Sequence, residues 1–212
     1  MARVPADQRR QDLIEAAFVV MARDGVAAAS TRAITAEAKA SLSAFHYCFR
    51  SKHELLQELT TTVVSDMLRE ATRALQPGAN LHDALRDGMR RLFSVATRRP
   101  DQQLVLYELT CLSLRDTALA GLGKWQYDCY AEATAQFLHD LAAAASAQWK
   151  LPIPVVSRMF VTFIDGLILG WLPDRNTEQA LAALDAFVDQ LASLARPAPR
   201  SITGKISVPA AS

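Results

Sequence analysis

Cysteine is scarce in this chain, and none of the common catalytic signatures is present. Cys48, Cys111 and Cys129 are the three cysteines in 212 residues. They form no CxxC and cannot all pair, which excludes a disulfide framework and fits a reducing cytosol. Free thiols of this kind are usually small buried hydrophobes rather than redox sensors. The four histidines, His46, His53, His82 and His139, are scattered, with no HExxH and no cysteine at ligand spacing, so no metal site is expected. There is no GxSxG, no phosphate-loop lysine motif and no GxGxxG; the fragment Gly121-Leu122-Gly123-Lys124 lacks the length of a phosphate loop. His53 and Glu54 are helix neighbours that point apart, so they make no catalytic pair. No residue is nominated as catalytic, and no cofactor is expected. The N-terminus lacks a signal-peptide pattern, and no apolar run reads as long and charge-free enough to span a bilayer. The expectation is a cytoplasmic protein with no membrane partner.

What is present favours helix. Half of the residues are hydrophobic, and alanine and leucine outnumber the β-branched residues, which implies an all-α fold with a substantial core. The net charge of +1 hides an asymmetry. Residues 1–52 carry eight Lys or Arg against five Asp or Glu, and residues 53–212 carry fifteen against seventeen. The excess at the basic end is too mild to establish nucleic-acid binding by itself, but its position matters.

At that end, Thr31 to Lys52 reads TRAITAEAKASLSAFHYCFRSK, two short helices around a tight connection. Ser30 or Thr31 caps the first, whose inward positions are Ile34 and Ala38, and Ser41 caps the second. The second helix, about two turns long, exposes Ser41, Ser43, Ala44, His46 and Tyr47, with Leu42, Phe45 and Phe49 holding it down. Small residues let a backbone approach base edges, and hydroxyls and rings reach phosphates, which suits a helix entering the major groove of DNA. Two short helices around a turn are also common as plain core packing. A preceding helix spans about Asp7 to Asp24, with Leu13, Ile14, Ala17, Phe18 and Met21 on one face and Gly25 as its C-cap. Arg3, Arg9 and Arg10 at its start could follow a phosphate backbone or simply be solvated.

The run of Gly25, Thr31, Ile34, Ala38, Ser41, Phe45, Tyr47, Phe49, Ser51, Lys52, Leu55 and Leu56 resembles the DNA-binding domain of the tetracycline-repressor (TetR) family. The spelling HYCFRSK, followed by an acidic residue and paired leucines, is similar to the branch of choline-responsive, BetI-like repressors. The chain departs from the pattern at Lys39 and Ser43, where glycine is usual, and at His46 and Cys48, where a Tyr-x-His pair is usual; these bear on base preference rather than on fold. The resemblance implies an N-terminal three-helix helix-turn-helix domain over 1–52 and a helical ligand-binding and dimerisation bundle over 53–196. Residues 197–212, small and polar, form an expected disordered tail. The DNA contacts it implies are Thr31, Arg32, Ser41, Ser43, Ala44, His46, Tyr47 and Lys52.

Further along, Ser51 and Glu54 make a capping box that opens a long helix to about Leu75, with Lys52 in its first turn placed to meet a phosphate. Asn80 caps a helix ending near Arg99-Pro100, and a shorter one runs from Asp101 to Arg115. Thr117 to about Trp149 reads as one long helix softened by Gly121 and Gly123. Val155 to Trp171 reads as the most apolar helix, stopped by Pro173, and Thr177 starts the last; no strand is expected. The last two helices look too apolar to be covered by one chain. Phe160, Gly166, Leu167, Gly170, Leu184, Phe187 and Leu191 are therefore the expected homodimer interface, a four-helix arrangement.

Aromatic residues gather in the middle helices and could line an apolar cavity. The expected effector contacts are Phe93, Tyr107, Cys111, Trp125, Phe163 and Trp171, with Glu108, Asp128 and Asp165 as anionic partners for a cationic ligand. Together these imply a ligand-responsive transcriptional repressor that binds a palindromic site on double-stranded DNA as a dimer and is released by a small-molecule effector. The alternative from another class is a helical small-molecule carrier or enzyme in which the N-terminal hairpin is structural.

Overall fold

In the computed structural model, which describes residues 5–199, the chain folds into nine α-helices, one 3-10 turn and one pair of short strands among those residues. The first helix, α1 (Ala6–Asp24), ends where Gly25 turns left-handed at φ 84° and donates its N–H to the Met21 carbonyl. The motif helices are α2 (Thr31–Glu37) and α3 (Leu42–Cys48). Ser30, rather than Thr31, caps α2 by accepting the Ala33 N–H, and Ser41 caps α3 by accepting that of Ala44. Between them Lys39 sits at φ 50°, a left-handed conformation that a lysine adopts only at some cost relative to glycine. Ser51 caps α4 (Lys52–Thr72) by accepting the Glu54 N–H. Glu54 closes the box one residue early, accepting from Arg50 rather than from Ser51.

The larger part comprises α5 (Leu81–Arg98), capped by Asn80, α6 (Pro100–Ser113), α7 (Leu122–Ala144), α8 (Ile153–Asp174) and α9 (Thr177–Ser193). The single helix expected over 117–149 is broken at both ends. Thr117–Leu119 is an isolated 3-10 turn, and Gly121 at φ 82° resets the chain before α7. Ser146 at φ 48° turns it out of α7 into β1 (Ala147–Trp149), which pairs antiparallel with β2 (Ala195–Pro197). That pair overturns the expectation of no strand. The expected tail begins inside β2, Ala198 donates to the Ser146 carbonyl, and residues 200–212 lie outside the described residues. Two helix ends also differ: α4 stops at Thr72, short of Leu75, while α8 runs through Pro173 to a left-handed Arg175. A proline in the last turn of α8 forfeits only one intrahelical bond.

By length and composition α8 is long and apolar enough to cross a membrane, with a third of its most apolar stretch buried in the fold; this corrects the expectation that no run would qualify. Val156, Phe160, Ile164 and Ile168 make its buried stripe, the spacing of a helix packed on one side.

Buried residues form two clusters. The first joins α1, α2, α3 and the start of α4 to Val105, Leu106 and Leu109 of α6 and to Leu119 and Leu122. The second joins the end of α4 to α5, α7, α8 and α9. Met67 packs against both. Across α5 and α9, Arg90 pairs with Asp185, and His82 Nε2 lies 2.7 Å from Asp189.

Gly88 marks a tight helix crossing. A Cβ there would lie 2.7 Å from the Phe137 ring and 3.2 Å from the Ala71 carbonyl oxygen, so α4, α5 and α7 depend on its missing side chain. Gly88→Ala should therefore destabilise the protein by about 1–3 kcal/mol. Gly166→Ala, whose Cβ meets nothing within 4 Å in the single chain, should not strain the fold of the protomer in this way. Denaturant melts of the two variants check the pair.

Candidate nucleic-acid interface and effector cavity

The short α3 is held from beneath by Phe45, Cys48 and Phe49, all buried. Cys48 takes the place expected of Leu42, which is 41% exposed, because α3 turns its seam toward α1 and α2. Its outer face carries Ser41, Leu42, Ser43, His46 and Tyr47, all exposed, with Tyr47 at 70%. Ala44 is half-buried, and the hydroxyls of Ser41 and Ser43 lie 2.8 Å apart. On α2, Thr31 is half-buried and Arg32 exposed. Arg32, Lys39 and Arg50 form no ion pair among the described residues, and all three are exposed. Leu42, Lys39 and Arg50 were not expected on this surface; exposure of Leu42 follows from tertiary packing alone.

Two basic residues expected near DNA are engaged inside the protein. Arg10 pairs with Glu58, donates to the Cys48 carbonyl and lies 4.4 Å over the Phe49 ring. It ties α1 to α3 and α4 rather than extending as an arm. Arg9 reaches only Asp12, at 3.9 Å, and Arg3 lies outside the described residues. Lys52 turns inward, donating to the Val26 carbonyl at 3.2 Å, and burial pushes its pKa down. The N–H of the same Val26 is taken by the Glu108 carboxylate on α6, at 3.0 Å. The turn before α2 is thus gripped by two charged side chains, one from α4 and one from α6.

The cavity lies in the second cluster and is partly open to solvent. α4 contributes Val64, Met67, Leu68 and Ala71; α7 contributes Tyr130, Ala133, Thr134 and Phe137; α8 contributes Phe160, Val161, Ile164, Asp165 and Ile168; Leu92 and Gln103 complete it. Asp165 accepts a hydrogen bond from the Tyr127 hydroxyl, and Tyr107 donates to the Asp165 backbone carbonyl at 2.8 Å. Burial pushes the Asp165 carboxyl up, opposed by its tyrosine hydrogen bonds. Burial likewise raises Tyr107, Tyr127 and Tyr130.

None of the six expected effector residues lines this cavity. Phe93 and Trp171 are core, meeting edge to face at 6.1 Å, and the Trp171 indole donates to Thr177. Phe163 stacks on Phe187 at 3.9 Å, Cys111 is exposed, and Trp125 packs against the first cluster. Tyr107 stands behind Asp165 and orients it. Of the three expected anionic partners only Asp165 lies at the cavity: Glu108 holds Val26, and Asp128 pairs with Lys124 at 2.6 Å.

The expected dimer face also divides. Phe160, Leu184 and Leu191 are buried within the single chain, so they cannot serve as first contacts with a partner. Gly166 and Gly170 do lie open, as do Val155, Met159 and Leu169, while Leu167 and Phe187 are half-buried. Periodicity identified the apolar helices, but each has a core side and an outer side.

With this geometry in hand, three comparisons are informative. Residues 13–59 match the family described as bacterial regulatory proteins, tetR family. The chain is 28% identical over 193 residues to the HTH-type nicotine-responsive transcriptional repressor HdnoR of Paenarthrobacter nicotinovorans, covering 89% of this chain and 98% of that one. Among solved structures it is similar to a transcriptional regulator from Rhodococcus sp. Rha1, with TM-score 0.67 and 20% identity over 90% of this chain and 99% of that one. It is also similar to FadR from Bacillus subtilis, solved with stearoyl-CoA, with TM-score 0.67 and 17% identity over 86% and 97%. At these identities the solved structures speak for the fold.

Asp165 also has a consequence for stability. Folded, it keeps its proton to higher pH than when unfolded, where it titrates near its ordinary 3.8. As pH rises the unfolded chain loses that proton first, so stability falls from about pH 3.8 until the folded carboxyl ionises. Asp165→Asn has no such proton to lose. Its stability relative to wild type should grow across that window, as read from denaturant melts at stepped pH.

Proposed function

We propose that this chain is a transcriptional regulator of the TetR family, a dimeric repressor which reads a palindromic operator with α3 and leaves it when a small molecule fills the cavity. The observation that carries the reading is the exposed polar face of α3, presented on a buried base of Phe45, Cys48 and Phe49. Residues 1–52 form the reading head and 53–196 the ligand-binding and dimerisation body. Ser41, Ser43 and Ala44 approach base edges, while Thr31, Arg32, His46 and Tyr47 meet phosphates. Lys52 acts indirectly, fixing the turn from which α2 starts. A repressor responsive to an organic molecule among the relatives supports the effector role, and the BetI-like spelling of HYCFRSK remains a proposal about branch. A cytoplasmic location follows from the role on DNA.

Release follows from how the head is joined to the body. α4 contributes to both clusters, and α6 carries Tyr107, bonded behind Asp165, next to Glu108, bonded to Val26. A ligand that shifts either helix shifts the head. The dimer fits its operator only when its two recognition helices sit about 34–36 Å apart. A coupling of about 1–3 kcal/mol would weaken binding some 5–150-fold, and operator DNA would weaken effector binding equally.

A gel shift with the chain's own upstream DNA tests the reading: palindrome-dependent retardation is expected, and a carrier or enzyme would show none. Tyr47→Ala should weaken operator binding while changing stability by no more than about 0.5 kcal/mol. Arg32→Ala should reduce the salt slope by about one unit. Lys52→Ala should differ from both, costing about 1–2 kcal/mol of folding stability through the lost Val26 bond; unchanged stability with a reduced salt slope would return Lys52 to the phosphates.

The open face of α8 and α9 is where the second protomer fits. Gly166→Leu leaves the single chain unstrained, because nothing lies within 4 Å of a Cβ there, yet it obstructs close helix approach. Light scattering should show a wild-type dimer at micromolar concentration and a monomeric Gly166→Leu. A wild-type monomer would refute the interface.

A further inference from the structure

We propose that the cavity selects a small, mostly apolar organic cation, a protonated amine or a quaternary ammonium, whose charge is met by the Asp165 carboxylate. The inference rests on the reading of this cavity as the effector site and adds the chemical class of what enters it.

The cavity is lined by aliphatic and aromatic side chains with few polar ones, and no Lys, Arg or His is among them. Asp165 is its one acidic residue. It has no ion-pair partner among the described residues, and the neighbouring Arg158 guanidinium lies over the outer ring of Tyr127, 6.0 Å from its centroid. A carboxylate removed from water without a counter-charge is costly, and a cation arriving in the same cavity relieves that cost. Neutral ligands leave it unrelieved, and anions add repulsion. Burial raises the Asp165 carboxyl by more than the tyrosine hydrogen bonds and the more distant Arg158 charge lower it.

The surrounding hydrogen bonds point the same way. Tyr127 donates to the carboxylate, and Tyr107 holds the backbone of the same residue, so the acid is oriented yet not neutralised. Behind the cavity wall the Gln126 side chain donates to Tyr130 at 2.8 Å, while its Oε1 is buried with no partner. Phe137 and Phe160, 6.0 Å apart, add ring surfaces that attract a cation more than a neutral group of the same size.

The test uses three probes with one skeleton, 4-phenylbutylamine, 4-phenylbutanol and 4-phenylbutyrate, titrated calorimetrically into the full chain at neutral pH. The amine should bind about tenfold or more tightly than the alcohol, and the carboxylate should bind least. Asp165→Asn, nearly isosteric and still able to accept from Tyr127, should bring amine and alcohol to similar affinity. The wild-type comparison stands whether or not that variant folds. Equal binding of amine and alcohol, preference for the carboxylate, or no amine binding at millimolar concentration would each overturn the proposal. A parallel operator gel shift separates the two readings. Amine binding without operator release keeps the cation site and removes its role as effector site. Release by amine and alcohol alike keeps the effector site and removes its choice of cations.

Discussion

One buried stripe along α4 holds the molecule together. Leu55, Leu56, Leu59 and Val63 belong to the first cluster, Ala71 to the second, and Met67 packs on both while also lining the cavity. Because a helix is stiff over this length and each half is packed to native density, neither end can tilt without disturbing the other. α6 adds a second rigid link between the same two regions, through adjacent residues whose side chains face opposite ways. The arrangement needs no flexible hinge to connect the cavity with the turn before α2.

Half-buried charge is treated differently in the two halves. In the head, Arg10 is satisfied by Glu58, the Cys48 carbonyl and the Phe49 ring, and Lys52 and Glu108 share the two backbone groups of Val26. These bonds tie separate helices together, so they fix geometry. In the body, Asp165 is oriented by tyrosines but has no ion-pair partner among the described residues, Arg158 acting on it only from a distance. A satisfied network gives shape, and an unsatisfied group of the same kind leaves a demand that a ligand can meet.

Helix starts were legible because a cap is a matter of three or four consecutive residues: Ser41, Ser51 and Asn80 each cap the helix predicted for them. The head was legible for the same reason, being built from neighbours in sequence. Prediction failed wherever the answer depended on a distant partner. Periodicity showed that α8 and α9 were apolar, but not that Phe160, Leu184 and Leu191 face their own chain. Aromatic composition suggested a cavity, yet its walls are set by the crossing of α4, α7 and α8, which placed Phe137, Phe160 and Ile164 there and left Cys111 outside. The pairing of β1 with β2, separated by two helices, had no local signal strong enough to outweigh the helical pattern. Asp165 was named as an anionic partner from its place among aromatics; only the fold distinguished it from Glu108 and Asp128.

The composition of the first cluster also bears on how the protein is made. Its core is not finished by α1 to α4: Val105, Leu106, Leu109, Leu119 and Leu122 fill it from the far side. A ribosome that has released the chain only as far as Lys52 has released a head with an open apolar base. That base stays open until α6 and the beginning of α7 emerge, and the corner at Ser146 waits longer still, for Pro197 and Ala198 near the chain's far end. The base beneath α3 is therefore closed only when residues as far along as Leu122 can pack against it.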